Sequence, residues 1–258
     1  MNPRVAILGC GPAGLLAAHA AKLSGAEVFV YSKKIKSRIH GAQYIHREIE
    51  GLSPKFALIE YIKFGTKEGY ARKVYGEPDY PCSWDKFAEG KHQAWSMMDV
   101  YDFLWDKWEN KIHDAEIGPT AADEIASLDF ELLISTIPRP ALCKDIRNHH
   151  FEAKPIWVQS DVAMPIPKDN VIIYNGDPKN TWYRYSNLFG HSFMEFAHGK
   201  DGGNGFKPVG HTCDCNPEWL KMGRFGRWER GILAHHSYEE TIRAVLGLRT
   251  GNQASRLS

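Results

Sequence analysis

The sequence predicts a Rossmann-type α/β fold, which is a doubly wound parallel sheet, with an inserted mixed or antiparallel layer. Three observations predict this fold. A glycine-rich turn joins an apolar strand to an alanine-rich helix near the start of the chain. A buried strand runs into a proline-rich turn over residues 129–142, and several strand-like runs occupy residues 155–196. The 258 residues suffice for one sizeable domain, or for a Rossmann-type domain with a small second lobe.

The composition excludes several classes of protein. Hydrophobic residues make up 43% of the chain, an ordinary globular value, and 32 Lys and Arg face 31 Asp and Glu, so no global basic field exists for nonspecific nucleic-acid binding. Five scattered cysteines do not form the pattern of a disulfide framework. Residues 5–21 are apolar, but glycines, a proline and a histidine interrupt them, which argues against a signal peptide or a membrane span. We therefore expect a cytoplasmic protein without a membrane partner.

The opening turn has the spacing of a dinucleotide-binding motif. Residues 4–8 form the first strand, residues 15–25 a helical run and residues 26–31 a second strand. Gly9 permits the tight turn, Gly11 lets the backbone approach a pyrophosphate, and Gly14 lets the helix pack closely on the sheet. The helix N-terminus offers N–H groups and a positive dipole end to phosphates. The residues predicted to hold the dinucleotide here are Gly9, Gly11, Pro12, Ala13 and Gly14.

The end of the second strand leaves the identity of the dinucleotide open. An acidic residue usually binds the ribose there, but this chain has Ser32 followed by Lys33 and Lys34. A missing acid with nearby cations favours the 2′-phosphate of NADP, whereas the G-x-G-P-A-G form is similar to FAD-binding oxidoreductases. Ser32 and Lys33 are predicted cofactor contacts in either case. The small residues Gly41 and Ala42, with Gln43, are predicted to lie against a flat ring.

The remaining chain divides into further predicted segments. Residues 55–80 read as strands of a substrate lobe. Residues 94–113 read as one long amphipathic helix, because apolar residues recur there at spacings of three or four. A last helix is expected from about Ser237. The predicted organisation is a Rossmann segment over 1–50, a substrate and helical insertion over 51–115, a return strand over 116–150, an antiparallel layer over 151–210, and a C-terminal flavin-binding segment over 211–258.

Two later segments carry a resemblance to a known superfamily. "LLISTIPRPAL" at 132–142 and "GRFGRW" at 223–228, together with "GCGPAG", resemble the amine oxidase and UDP-galactopyranose mutase flavoproteins. The resemblance implies FAD as the cofactor and a C-terminal segment that approaches the pyrophosphate and the flavin. Ser32 departs from the family pattern at the ribose contact. The residues that the resemblance adds to the cofactor site are Gly223, Arg224, Phe225 and Trp228.

The chain is short for this superfamily, and its pattern "YSKK…GAQYIH…TWYRYSNLFG…GRFGRW" resembles small flavoproteins encoded by bacteriophages. Some of these belong to pathways that hypermodify thymine in DNA, where a flavin enzyme oxidises a glycine carried on the base and leaves an aminomethyl group. The resemblance implies an FAD-dependent oxidation of a small amine or amino-acid group, free or presented on DNA, in the host cytoplasm. Alternatives are a redox-neutral mutase-type reaction, an NADP-dependent reductase, and a dinucleotide-sensing module without catalysis. The oligomeric state is left open.

Four residues are candidates for the chemistry on the substrate. Arg184 stands among aromatic residues and would anchor a carboxylate, and its neighbour Tyr183 would stack on the substrate or a base. His46 is the first candidate for a proton acceptor, and His191 the second, because histidine titrates near neutral pH. The flavin takes the hydride in such reactions, so the protein needs no strong nucleophile.

One short run raises a metal hypothesis. "HTCDC" at 211–215 places His211, Cys213 and Cys215 on one face if the run is a strand. Structural zinc usually has four protein ligands, and the sequence shows no second CxxC pair. We therefore predict no metal site.

Overall fold

The computed structural model describes residues 2–39, 43–85, 90–163, 168–197 and 205–254. The chain forms two compact units, each made of separate stretches. The first unit comprises Met1–Arg38, Val100–Glu152 and Pro208–Ser258. The second unit comprises Ile39–Asp99 and Ala153–Lys207. None of the described helices is long and apolar enough to cross a bilayer.

The first unit contains a five-stranded sheet in which every pair of neighbouring strands is parallel. Its strands are β1 Arg4–Leu8, β2 Glu27–Ser32, β6 Ile112–Asp114, β7 Leu132–Ser135 and β13 Leu220–Lys221. They lie in the order β13-β7-β1-β2-β6, so β1 is central. Val5, Ala6, Ile7 and Leu8 of β1 are fully buried, as expected for a parallel strand covered on both faces. The predicted Rossmann-type sheet is therefore confirmed.

Helices of the first unit pack beside this sheet. They are α1 Pro12–Leu23, most of α3 Met97–Trp108, α4 Pro119–Ala126, α5 Gly223–Arg227 and α6 His236–Ala254. The late helix α6 lies against the early helix α1: Ser237 Oγ donates to the carbonyl oxygen of Ala13 at 2.9 Å, and Arg249 donates to that of Ser24 at 2.9 Å. Both ends of α1 are thus held by residues from the far end of the sequence.

The second unit is built on an eight-stranded sheet. Its strands are β3 Tyr44–Ile45, β4 Phe56–Phe64, β5 Gly90–Ser96, β8 Phe151–Ser160, β9 Val171–Asn175, β10 Trp182–Leu188, β11 His191–Phe196 and β12 Gly205–His211. They lie in the order β12-β8-β11-β10-β9-β4-β5-β3. Strands β4 and β9 are parallel, and the other pairs with a determined register are antiparallel, so the predicted mixed layer is confirmed.

Two element predictions are wrong. Residues 94–113 do not form one helix, because Ala94 pairs with Ala57 in β5 and Ile112 pairs with Val30 in β6, which leaves the helix only Met97–Trp108. Residues 55–80 are not all strand either, since β4 is followed by the helix α2 Lys67–Tyr75. Sheet partners distant in sequence limit the first element, and the local N-cap Thr66 starts the helix α2 in the second region. The second unit also begins at Ile39, before the predicted boundary at residue 50, because Tyr44 pairs with Ser96 in its sheet.

The start of α2 yields a small prediction on stability. The side chain of Thr66 accepts a hydrogen bond from the backbone N–H of Gly69 at 3.0 Å, which is the geometry of a helix N-cap. We expect Thr66→Ala to lower the free energy of unfolding by about 1 kcal/mol and Thr66→Ser to leave it nearly unchanged. Urea unfolding of both variants checks this. Equal losses in the two variants would contradict a capping role.

Candidate functional site

The glycine-rich turn between β1 and α1 is shaped by two glycines that no other residue could replace. Gly9 has a φ of +104°, and a Cβ there would lie 2.6 Å from Thr136 Oγ1. A Cβ on Gly14 would overlap the carbonyl oxygen of Gly9. Thr136 itself holds the turn, since its backbone N–H and its hydroxyl both donate to the carbonyl oxygen of Leu8, at 2.9 and 3.1 Å. These two positions are therefore glycine for reasons internal to the protein.

Gly11 is different, because neither its backbone nor its packing requires glycine. Its φ of −69° and ψ of 177° suit any residue. Apart from its chain neighbours, the only described heavy atom within 4 Å of a Cβ built there is Ser37 Oγ, at 3.9 Å. The space beside Gly11 is open at the point where a pyrophosphate would approach the backbone. Neither the backbone conformation nor the described packing therefore accounts for a glycine at position 11.

The N-terminus of α1 is suited to an anion. Pro12 occupies the first turn, no described side chain caps the helix, and the first turn contains no acidic residue. The helix therefore presents its positive end and its unpaired N–H groups without competition from a carboxylate. The predicted C-terminal segment reaches the same place: Gly223, with φ +70°, lies so close to Ala13 that a Cβ on Gly223 would be 2.7 Å from the Ala13 Cβ. The glycine-rich turn and the segment after β13 are therefore in close contact.

The end of β2 supplies an acidic residue from an unexpected source. Ser32 pairs with Asp114 on the neighbouring strand β6, and the backbone N–H of Lys34 donates to Asp114 Oδ1 at 3.3 Å. Lys33 Nζ lies 2.6 Å from Glu116 Oε1. Sequence reasoning missed these two acids because they come about 80 residues after the end of β2, at the edge of a region predicted to be helical. The helical periodicity stops at Ile112, and this was the only indication in the sequence that another element begins there.

Tyr101 links the turn to the loop after β2. Its hydroxyl donates to the carbonyl oxygen of Cys10 at 3.1 Å and accepts from the backbone N–H of Ser37 at 3.0 Å. The ring is buried, and burial raises the pKa of Tyr101, so the hydroxyl stays protonated. Tyr101 therefore positions Cys10, directly beside Gly11.

The other predicted cofactor residues lie in varied surroundings. Gly41 and Ala42 lie outside the described residues. Gln43 is buried, and within the described part of the chain its Nε2 has no hydrogen-bond partner, as expected of a donor reserved for a ligand. Arg224 is half-buried and Phe225 is exposed. Trp228 is buried, and its indole N–H donates to the Glu152 carbonyl oxygen at 3.0 Å. Their contact with a cofactor stays a prediction.

Two of the predicted catalytic residues belong to a buried charge network in the second unit. Arg184 forms an ion pair with Glu195 across β10 and β11. The other Glu195 oxygen accepts from Tyr183 Oη at 2.6 Å and from Lys207 Nζ at 2.9 Å. Burial alone would raise the pKa of Glu195, but Arg184, Lys207 and the hydrogen bonds lower it to about 2. The Arg184 guanidinium is therefore already paired with the Glu195 carboxylate, so a substrate carboxylate would have to share the guanidinium with Glu195.

The two predicted histidines differ in position. The His46 ring packs edge-on against Tyr44, with 4.9 Å between ring centroids, and Tyr44 Oη lies 2.6 Å from Tyr61 Oη. Burial raises the pKa of both tyrosines, so this pair is a neutral hydrogen-bonding group. His191 is exposed at the start of β11, after the Phe189–Gly190 turn. The catalytic roles of His46, Tyr183, Arg184 and His191 stay predictions.

The residues of "HTCDC" do not cluster as the metal hypothesis supposed. The His211 ring lies against Phe151, with 6.2 Å between centroids. Cys213 and Cys215 instead meet Cys143 and His149. This grouping could not be predicted from the sequence, because Cys143 and His149 lie about 70 residues before Cys213 and Cys215.

Known structures share this architecture. The chain is similar to the crystal structure of reduced UDP-galactopyranose mutase, with a TM-score of 0.58 and 14% identity over 96% of this chain and 94% of that one. The chain has the fold of the FAD-binding, Rossmann-type flavoenzymes. It is also similar to a triple mutant of the flavin-dependent brominase Bmp2, with a TM-score of 0.51 and 11% identity over 93% and 78% of the two chains. No protein-family model matches the sequence, and no curated protein matches it either.

A weaker likeness covers only part of a longer chain. The structure of the Y270F mutant of MHPCO, 2-methyl-3-hydroxypyridine-5-carboxylic acid oxygenase, is matched with a TM-score of 0.44 and 16% identity over 76% of this chain and 58% of that chain. This likeness carries no weight for function. The comparison of folds therefore uses the two matches that span nearly all of this chain.

Proposed function

We propose that this chain binds FAD and is an oxidoreductase that oxidises a small amine or amino-acid group. The observation that carries the cofactor is Gly11, a glycine beside open space at the uncapped start of α1. The flavoenzyme fold supports FAD as the dinucleotide. Gly9, Gly11, Ala13, Gly14 and Gly223 would hold the pyrophosphate region, because their backbones converge there.

The charges around β2 favour FAD over NADP. Lys33 pairs with Glu116, and Lys36 pairs with Asp102 at 2.7 Å, so carboxylates offset the cations that a 2′-phosphate would need. Asp114, paired with Ser32, is an acid at the strand edge where FAD and NAD sites carry their ribose-binding carboxylate. We propose that Asp114 takes over the role that Ser32 cannot perform.

The amine substrate is supported by the superfamily resemblance and by the polar groups of the second unit. A bound flavin would supply the two-electron acceptor for oxidation of the amine carbon. His46 would take the proton of the substrate ammonium, since its ring packs against the neutral Tyr44–Tyr61 pair and imidazole is the side chain most often used as a general base. Arg184, with its Glu195 partner, would orient a carboxylate-bearing substrate. A glycyl-modified thymine in DNA is the specific carrier that we propose to test.

A redox-neutral mutase-type reaction is the second candidate. The observation that favours it is the similarity to UDP-galactopyranose mutase over almost the whole of both chains. Such a reaction releases no peroxide and leaves oxygen unconsumed, so the two candidates separate in one assay. A pure dinucleotide sensor would bind FAD and turn over neither kind of substrate.

The deciding experiment identifies the cofactor and then the reaction. Purified protein is expected to show flavin absorbance and to release FAD, identified by mass. With amines, amino acids, or DNA containing glycyl-modified thymine, we expect peroxide in proportion to the substrate consumed. Release of NADP, or failure to load FAD, would contradict the cofactor proposal. Bound FAD with isomerisation of a sugar nucleotide and no peroxide would replace the oxidase by the mutase.

The two histidines provide matched variants for the proton-transfer role. His46→Gln should lower kcat for amine oxidation by about 100-fold, the usual contribution of a general base, and should shift the pH profile. His191→Gln tests the second candidate: if His46 is the base, this change at an exposed hairpin should leave kcat within about twofold. Both variants should keep their flavin absorbance. An unchanged kcat and pH profile in His46→Gln would remove this residue from the reaction.

A further inference from the structure

Three thiols and one imidazole meet in the first unit, at a place that the flavin chemistry does not use. Cys143 follows the turn after β7, and His149 stands shortly before β8. Cys213 and Cys215 follow β12. Their ligand atoms all lie within 4.8 Å of one another. Cys143 and Cys213 are buried, and the other two side chains are half-buried.

The distances between these atoms fit the corners of a tetrahedron around one small ion. Cys143 Sγ lies 3.7 Å from Cys213 Sγ. His149 Nδ1 lies 3.2 Å from Cys143 Sγ and 3.8 Å from Cys215 Sγ. With ordinary Zn–S and Zn–N bond lengths, tetrahedral ligands stand about 3.8 Å apart for two sulfurs and about 3.6 Å apart for sulfur and nitrogen. We propose that Cys143, His149, Cys213 and Cys215 form a structural zinc site.

The surroundings of His149 are those of a metal ligand. Its Nδ1 faces the thiols, while its Nε2 lies 3.3 Å from Asp214 Oδ1. A carboxylate on the far ring nitrogen fixes the tautomer and leaves the near nitrogen free to bind a metal. The contact between His149 and Asp214 is an observation separate from the distances among the thiols. Asp214 lies between the ligands Cys213 and Cys215 in the sequence.

The charge of the proposed site is also balanced. Three thiolates and one divalent ion leave a net charge of −1, which cations nearby would offset. Arg139 and Lys221 line the same small cavity as Cys213 and Cys215. Arg139 also donates to the Cys213 carbonyl oxygen at 2.6 Å, which fixes the backbone that carries two of the ligands.

A disulfide does not account for the cluster. The 3.7 Å between the Cys143 and Cys213 sulfurs is far longer than the bonded length of about 2.05 Å, and all the described cysteines are free. Four ligands from the protein close the coordination sphere, which is the arrangement of structural rather than catalytic zinc. Binding displaces a proton from each thiol and transfers no electrons. The site needs no flavin, so this inference stands apart from the proposed function.

The ion would fasten two chain segments that lie 70 residues apart. The second of these segments leads directly into β13 and α5, and α5 begins at Gly223, against Ala13 of the dinucleotide turn. The site would therefore hold the C-terminal segment in register with the turn. Loss of the ion is expected to loosen this segment and lower the thermal stability of the first unit.

Elemental analysis of the full chain, purified with a reductant and zinc in the growth medium, tests the site. We expect about one zinc per chain in the wild type. Cys143→Ser and His149→Ala should lose most of the metal, whereas His149→Cys should retain it, because a site of four cysteines also binds zinc. The matched control is Cys82→Ser, which removes a buried cysteine of the second unit and should keep the zinc.

Cobalt exchange adds a readout of geometry. Co²⁺ in a site rich in thiolates gives absorption bands beyond those of the flavin, and we expect these bands in the wild type and in His149→Cys. If Cys143→Ser does not fold, Cys215→Ser replaces it, because that side chain is half-buried. Substoichiometric zinc in the wild type, equal zinc in the wild type and the ligand variants, or a Cys143–Cys213 disulfide found by mass would each overturn the proposal.

The carboxylate behind His149 supplies a finer test. Asp214→Asn keeps the shape of the side chain but weakens its hold on His149 Nε2. We expect the zinc affinity, measured by competition with a chromophoric chelator, to fall by about 10-fold. An unchanged affinity in this variant, with zinc still lost in His149→Ala, would overturn the part assigned to Asp214 and leave the four ligands.

Discussion

Gly11→Val is expected to give a folded protein that has lost its FAD. The open space beside Gly11 can accept the larger side chain, since Ser37 Oγ at 3.9 Å is the nearest described atom beyond the chain neighbours. The same side chain would occupy the path by which the pyrophosphate reaches the start of α1. We expect the affinity for FAD to fall by more than about 100-fold, which corresponds to about 2.7 kcal/mol.

The measurement compares apoproteins, because FAD itself stabilises the native state of the wild type. Apo Gly11→Val should melt close to the apo wild type and bind little FAD in a titration. Gly14→Ala is the contrasting variant: its Cβ would overlap the Gly9 carbonyl oxygen, so it should lose both stability and FAD. Full flavin occupancy in Gly11→Val would show that the turn does not hold the dinucleotide.

Glu195→Gln is expected to cause the largest loss of stability among conservative substitutions in the second unit. The change leaves Arg184 and Lys207 without their buried countercharge, while the shape of the side chain is kept. Removal of one partner from a buried ion pair costs about 3–5 kcal/mol. We expect the free energy of unfolding in urea to fall by that amount.

A surface ion pair in the same unit provides the control. Glu60 pairs with Lys168 at 2.6 Å, but both side chains are partly exposed. Glu60→Gln should therefore cost less than about 1 kcal/mol. Equal losses in Glu60→Gln and Glu195→Gln would mean that the buried network contributes no more than an exposed pair.

The same network predicts a dependence of stability on pH. Burial raises the pKa of Glu195, but Arg184 and Lys207 outweigh burial, so the pKa is lowered from 4.5 to about 2 in the folded protein. Because the folded pKa is depressed, the stabilisation is complete above about pH 4.5 and is lost as the pH falls toward about 2. In Glu195→Gln, the free energy of unfolding should fall less steeply between about pH 4.5 and pH 2 than in the wild type. Equal slopes in the two proteins would contradict the lowered pKa.

The dinucleotide turn could be predicted from the sequence because its determinants are local. Gly9, Gly11 and Gly14 lie within one strand–turn–helix, and the structure shows that two of them are dictated by sterics between near neighbours. The limits of the helix Met97–Trp108 could not be predicted in the same way. The apolar periodicity continues into Ala94 and Ile112, whose backbones pair with strands distant in sequence.

The missed features of the candidate sites share one cause, which is long separation along the chain. Asp114 reaches Ser32 only through the pairing of β6 with β2. Cys143 reaches Cys213 only because two connections of the first unit end side by side. No local spacing encodes such meetings.

The packing of α6 on α1 has a consequence for folding during translation. Ser237 and Arg249 hold the two ends of α1, yet they are translated more than 200 residues after it. The glycine-rich turn and α1 must therefore remain without this support while more than 200 further residues are translated. Nascent chains that lack α6 should bind chaperones and no FAD, and the coenzyme should be captured only after α6 has been translated. Synthesis and cofactor loading are thus separated in time by the order of the segments.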